Sequence, residues 1–182
     1  MIRLFISIEI PPIIRALLQA MGRSLHGARG VPEDQIHITL RFIGEVEGSV
    51  LQDIHEKLSS VHFDPFSIKI KGVGHFPPRG KPRVVWAGIE QNEHLTRLKK
   101  KIDAALNQAG LPPDDRKFAP HITIARLNSS SLQRITEFLS GNSFLQFDEF
   151  EINSFHLYSS KLSHKGAIHI CEESYSLISN RD

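Results

Sequence analysis

Cysteine is nearly missing from this 182-residue chain. Cys171 stands alone, which excludes an intramolecular disulfide and every metal cluster built from several thiolates. It ends the apolar run Ala167-Ile168-His169-Ile170-Cys171, where a buried structural thiol is expected. A surplus of one charge is missing too. Lys and Arg total 22 against 20 for Asp and Glu, a net charge of +2, too small to mark a nucleic-acid binder by charge alone. No stretch approaches the roughly twenty apolar residues that a membrane span needs, so no membrane partner is expected. Near the start, Arg3 and Glu9 interrupt an apolar run, Pro11-Pro12 ends it and no small-residue cleavage site follows. A signal peptide is therefore not expected, and a reducing, cytoplasmic setting is. What remains is ordinary: 40% hydrophobic and 23% charged residues, the balance of a soluble globular domain long enough to bury a core.

Periodicity divides the chain into strands and helices. Arg3 to Ile10 reads as a buried strand, and Pro12 to His26 as a helix with Ile13, Ile14, Leu17, Leu18, Met21 and Leu25 at helical spacing. Ile36 to Ile43 is a second strand. A helix from Ser49 follows, with Val50, Ile54, Leu58 and Val61 on one face, and then an alternating strand from Phe66 to Lys71. The order then repeats: strand Val84 to Ile89, helix Glu93 to Ala109, strand His121 to Arg126, helix Ser131 to Leu139, strand Phe147 to Ile152. Two final strands, Phe155 to Ser160 and Ile168 to Leu177, flank a hairpin loop over 161–166. Corresponding elements fall about eighty residues apart, so one bilobal α+β domain over 1–182 is expected. Its pseudo-symmetric halves would cover approximately 1–72 and 83–178, each with a sheet and helices, facing each other across a cleft. The connection from Gly72 to Pro82, rich in glycine and proline and flanked by Arg79, Lys81 and Arg83, reads as a surface loop.

The same tetrapeptide shape occupies the same place in each half: His37-Ile38-Thr39-Leu40 and His121-Ile122-Thr123-Ile124. Only four threonines occur in the chain, and two of them fill this slot. A strand period of two sends His37 and Thr39 to one face while Ile38 and Leu40 anchor in the core, and it treats His121 and Thr123 alike. A pseudo-twofold axis would bring both pairs to one cleft. Two imidazoles and two hydroxyls there form a receptor for a phosphodiester, with hydroxyls on the non-bridging oxygens and one histidine removing a proton while the other supplies one. Imidazoles titrate near neutrality, so this chemistry needs no metal and no other cofactor.

On these residues the chain resembles the two-histidine phosphoesterase superfamily, and within it the LigT-like RNA 2′,3′-cyclic phosphodiesterases of the 2′-5′ RNA ligase family. The likeness lies in Arg3-Leu4-Phe5-Ile6-Ser7-Ile8, in His37-Ile38-Thr39-Leu40-Arg41-Phe42-Ile43-Gly44 and in Phe118-Ala119-Pro120-His121-Ile122-Thr123-Ile124-Ala125-Arg126, with Val85-Trp86-Ala87-Gly88 in support. Ile43 stands where a leucine is commoner in that family. The resemblance implies hydrolysis of a terminal 2′,3′-cyclic phosphate on RNA, tRNA fragments included, to a 2′-phosphate, with no obligatory protein partner. It implies that His37 is the proton donor to the 3′-oxygen and His121 the proton acceptor that activates water. Thr39 and Thr123 would hold phosphate oxygens, Arg126 would face the developing phosphorane, and Phe42 would stack on the terminal base.

Other readings stay open from sequence. Arg126 could form a structural ion pair. In a regular strand Phe42 would face the core with Ile38 and Leu40, unless a bulge near Gly44 frees it. Lys81, Arg83 and Lys117 are candidates to guide the RNA backbone. Lys99-Lys100-Lys101 reads as an exposed helix face, and Ser129-Ser130-Ser131 as a cap for the next helix. His75, His156, His164 and His169 show no metal-ligand spacing. The same site could instead join a 5′-hydroxyl to a cyclic phosphate as a 2′-5′ ligase, act on another small cyclic phosphoester, or belong to a non-catalytic RNA-binding module. Near-neutral charge and the lack of aromatics interleaved with basic residues speak against the module.

Overall fold

The computed structural model describes residues 1–164 and 166–178. Lys165, inside the predicted 161–166 loop, and residues 179–182, at the end of the expected domain, lie outside the described residues. β1 (Ile2–Glu9) leads through α1 (Pro12–Ser24), β2 (Ala28–Gly30) and a 3-10 turn at Glu33–Gln35 to β3 (His37–Val46) and α2 (Gly48–Ser59). Next come β4 (Phe66–Ile68), β5 (Ile70–Phe76), β6 (Val84–Ile89), α3 (Glu93–Gln108) and β7 (His121–Leu127). The remaining described elements are α4 (Leu132–Gly141), β8 (Phe150–Ile152), β9 (Ser154–Ser163) and β10 (Gly166–Ser176).

The fold is α+β, with two four-stranded antiparallel sheets in the orders β10-β9-β1-β3 and β2-β7-β6-β5 and a small β4-β8 pair. Each large sheet draws strands from early and late parts of the chain. β1 lies between β3 and β9, and β2 pairs with β7. The central strands read as near-continuous apolar runs because both their faces are covered; Leu4 to Ile8 of β1 are all buried. No helix among the described residues is long and apolar enough to cross a membrane.

The helices follow their caps and apolar stripes. Pro12 starts α1 with its φ already helical. Asn92 caps α3 by accepting from the Leu95 N–H at 3.0 Å, and Ser131 caps α4 by accepting from the Arg134 N–H at 3.3 Å, as the serine run suggested. α3 buries Leu95, Leu98, Ile102, Ala105 and Leu106, the predicted inner face. On α1 only Ile14, Leu18 and Gly22 are buried, while Ile13 and Leu17 are exposed. The inner stripe is narrow because the helix sits directly on β7: a Cβ at Gly22 would overlap the Ile124 carbonyl oxygen.

Other expectations change as well; most of the predicted 161–166 loop is strand, with β9 running to Ser163 and β10 beginning at Gly166. The predicted loop from Gly72 begins instead as strand β5, which continues to Phe76 on β6. Its glycines are strand features: Gly72 takes φ +75° at a register shift, and a Cβ at Gly74 would overlap the Trp86 ring. The predicted strand Phe66 to Lys71 divides at Lys69, with its two parts in different sheets. Cys171 is exposed, because β10 is an edge strand that turns much of its apolar run outward, leaving Ile168 and Ile170 exposed as well. Lys99, read as solvated, is 6% exposed and bonded to Asp103 and Asp114.

Candidate active site

The two His-x-Thr-x segments open β3 and β7, and both strands carry a bulge at the same place. Against β1, Thr39 pairs with Ser7 and Arg41 with Ile6, so Leu40 is the extra residue. Against β6, Thr123 pairs with Trp86 and Ala125 with Val85, so Ile124 is the extra residue. An extra residue resets the alternation of faces. Leu40 and Arg41 are consequently both buried, as are Ile124 and Ala125. The next residue in each strand, Phe42 or Arg126, returns to the face of the histidine and threonine. A regular strand would send both of them into the core. An irregularity does lie beside Gly44, where Ile43 is unmatched, but the bulge that turns Phe42 outward is the one at Leu40, and Phe42 is 55% exposed.

These six residues line one cavity of about 440 Å³ between the two large sheets, a size suited to a nucleotide-sized ligand. His37, Thr39 and Phe42 enter it from β3, and His121, Thr123 and Arg126 from β7. Among the described residues neither threonine hydroxyl has a hydrogen-bond partner, and Arg126 has no acidic partner within ion-pair distance. The His121 imidazole is braced by the carbonyl two residues earlier. His121 Nδ1 lies 2.7 Å from the Ala119 oxygen, so Nδ1 carries the proton and Nε2 is left for the cavity. The Gln35 backbone favours the protonated form of His37. Aromatic neighbours fix the rings laterally: Phe5 stacks on His37 at 5.2 Å, and Phe76 meets His121 edge-on at 4.8 Å.

The two imidazoles differ electrostatically. Burial first, then the neighbouring His169, lowers the His37 pKa from its ordinary 6.5 to about 4, with His121 adding to the effect and the Gln35 hydrogen bond opposing it. At pH 7 His37 is therefore neutral. Negative charge placed beside the ring would reverse part of that bias, since it favours the protonated form.

Behind β3 an ion-pair cluster ties the first motif to the loop leading into the second. Buried Arg41 donates to Asp103 at 3.3 Å and to the Pro112 carbonyl at 2.6 Å, and lies 3.6 Å from Asp114. Lys99 and Arg116 also pair with Asp114. Arg116 reaches on to the Phe42 carbonyl at 3.4 Å and lies 5.5 Å from its ring centre, bracing Phe42 from outside the cavity.

Other candidates fall elsewhere. Lys81 lines a separate groove beside α4, and neither Arg83 nor Lys117 lines the main cavity. Sequence reasoning missed Phe5, Gln35, Arg29 and above all His169, which all line it. For His169 the available signal was the alternation Ala167-Ile168-His169-Ile170, which sets the two isoleucines opposite Ala167 and His169. Among the described residues no group of three or more His, Cys, Asp or Glu side chains is arranged to hold a metal ion.

The model of the 2′-5′ RNA ligase superfamily matches residues 10–163. The chain belongs to this superfamily. Within it, the chain is 37% identical over 171 residues to the RNA 2′,3′-cyclic phosphodiesterase of Archaeoglobus fulgidus, covering 92% of this chain and 96% of that one. It is 35% identical over 141 residues to the enzyme of the same name from Aeropyrum pernix, covering 76% and 80%. A Thermus thermophilus crystal structure superimposes with a TM-score of 0.80 at 28% identity, over 98% of this chain and all of that one. Escherichia coli LigT in complex with 3′-AMP has a similar fold at 22% identity, with a TM-score of 0.80 over 98% of this chain and 99% of LigT.

Proposed function

We propose that this protein is an RNA 2′,3′-cyclic phosphodiesterase that opens the terminal cyclic phosphate to a 2′-phosphomonoester without a metal, in the cytoplasm. The observation that carries the reading is the meeting of both His-Thr pairs and Arg126 in one cavity. Membership of the superfamily and relatives named for this activity support it.

The geometry suits an in-line displacement. His121, its Nδ1 proton held by Ala119, has Nε2 free to take a proton from water. The water oxygen bonds to phosphorus, the bond from phosphorus to the 3′-oxygen breaks, and His37 supplies the proton that the leaving 3′-oxygen needs. Thr39 and Thr123 donate to the non-bridging oxygens, and Arg126 offsets charge that grows on them in the transition state. The low proton affinity of His37 makes its protonated form a strong acid, and the substrate's own negative charge helps to load it. Phe42 offers its exposed ring to the terminal base, a contact that any base can make.

The test is incubation, in EDTA, with an RNA ending in a 2′,3′-cyclic phosphate, followed by identification of the product. A 2′-phosphate is expected, with His37→Ala and His121→Ala each losing about 10²–10⁴-fold in rate. Full turnover in both variants would overturn the assignment.

A further inference from the structure

The cavity contains a third imidazole that belongs to neither motif. His169 enters from β10, the edge strand of the first sheet. Its ring centre lies 5.7 Å from that of His37, with the planes 60° apart, and 4.8 Å from that of Phe5. Phe5 in turn lies 5.2 Å from His37. The three rings thus form a closed triangle in which each touches the other two. His37 cannot swing toward either neighbour without displacing it.

Gln35, two residues before His37, reaches across to β10. Gln35 Nε2 donates to the Ala167 carbonyl at 2.7 Å, fixing β10 two residues before His169. The backbone of the same Gln35 favours the charged form of the His37 ring. The His169 ring also has an unusual feature: Nδ1 is enclosed and has no hydrogen-bond partner among the described residues. Leaving a buried polar atom unmatched is destabilising, and a phenylalanine would fill such a space without that cost. An imidazole kept there at a loss points to work done by its ring nitrogens or its charge.

We propose that His169 is a positioning residue that clamps His37 against Phe5 and makes protonation of His37 depend on the arrival of the phosphate anion. The inference rests on the reading of His37 as a proton-transfer group. Two adjacent imidazoles resist carrying charge together. The other charged and titratable groups around them are His121 and Arg126 on β7, Arg3 on β1 paired with Glu45, Asp34 in the 3-10 turn, Arg29 on β2, and Glu9 with Tyr158 beyond Phe5. Burial and Arg126 disfavour charge on His169, and Asp34 favours it. A phosphodiester in the cavity supplies the negative charge that the rings lack, so its binding draws a proton onto His37.

The test compares His169→Ala, which removes the ring, with His169→Phe, which keeps a ring and removes its nitrogens. Steady-state kinetics would use an RNA oligonucleotide ending in a 2′,3′-cyclic phosphate. The His37 titration would be followed by NMR with and without inorganic phosphate. His169→Ala is expected to lower kcat about tenfold with little change in KM, through a loosened His37. His169→Phe should recover most of kcat, yet shift the His37 titration upward by about half a pH unit and weaken its response to phosphate. A His37 titration identical in wild type and His169→Phe, or unchanged kcat in His169→Ala, would overturn the proposal. If wild type itself failed to hydrolyse the RNA, the proposed activity would fall, while the titrations would still decide whether the two rings are coupled. Should His169→Ala not fold, the phenylalanine variant alone carries the test.

Discussion

Replacing His37 by glutamine should make the protein less sensitive to mild acid. In the folded chain the His37 pKa lies at about 4, against 6.5 for a free imidazole, with burial as the main cause and His169 next. Between these values the unfolded chain binds a proton that the folded chain does not. The stability that His37 contributes is therefore fully present above pH 6.5 and is lost as pH falls toward 4. The whole window corresponds to about 3 kcal/mol, and the part lost between pH 7.5 and 5 is about 2 kcal/mol. His169 and His156 are also shifted down, chiefly by burial, so wild type should lose more than this. His37→Gln stays polar and has nothing to titrate, so the difference between the two proteins reports His37 together with its coupling to His169. Urea unfolding at pH 7.5 and pH 5 would measure it. The expected result is a stability loss about 2 kcal/mol smaller in the variant. Parallel losses in the two proteins would refute the depressed pKa and the burial that explains it.

The Arg126→Ala variant should lower kcat/KM by about a hundredfold or more, since it removes a charge-assisted contact to the reacting phosphate. Unchanged steady-state kinetics would remove Arg126 from the site. With Phe42→Ala, KM for RNA should rise about fivefold or more with a smaller change in kcat, the signature of lost base stacking. Arg41→Met strips the shared partner from Asp103 and Asp114 and should destabilise the fold by about 3 kcal/mol in urea. Gly74→Ala must push the Trp86 ring aside, and Trp86 lies 6.5 Å from His121. It should lower both stability, by about 1–3 kcal/mol, and kcat; a silent Gly74→Ala would show that this wall can yield.

Much of the site was legible because it obeys strand periodicity. His37 with Thr39, and His121 with Thr123, share a face at a spacing of two, and no tertiary knowledge is needed to see that. Arg126 and Phe42 sit at odd spacing from their histidines, so only the resemblance to a family placed them in the site. The physical reason is the bulge at Ile124 and at Leu40, which leaves no mark in composition. His169 was illegible for another reason. Its place depends on β10 folding back beside β9 and on Gln35 holding it there, contacts between residues far apart in the chain. In the connection after Gly72, glycine and proline suggested a loop. Pairing with β6 and space for the Trp86 ring turned its first half into strand β5. Lys99 shows the same override, since a lysine on a polar helix face became buried once Asp103 and Asp114 were there to receive it.

The position of β1 between β3 and β9 also shapes how the molecule must be made. On the ribosome, β1 can meet β3 early, but its other edge waits, unpaired and apolar, until β9 has emerged. A bare strand edge invites pairing with the wrong chain, and distant pairing slows folding. Products of interrupted synthesis that stop before β10 would contain both His-x-Thr-x strands and still lack His169. Premature termination late in the message should thus give an exposed edge and an incomplete cavity rather than a smaller working enzyme.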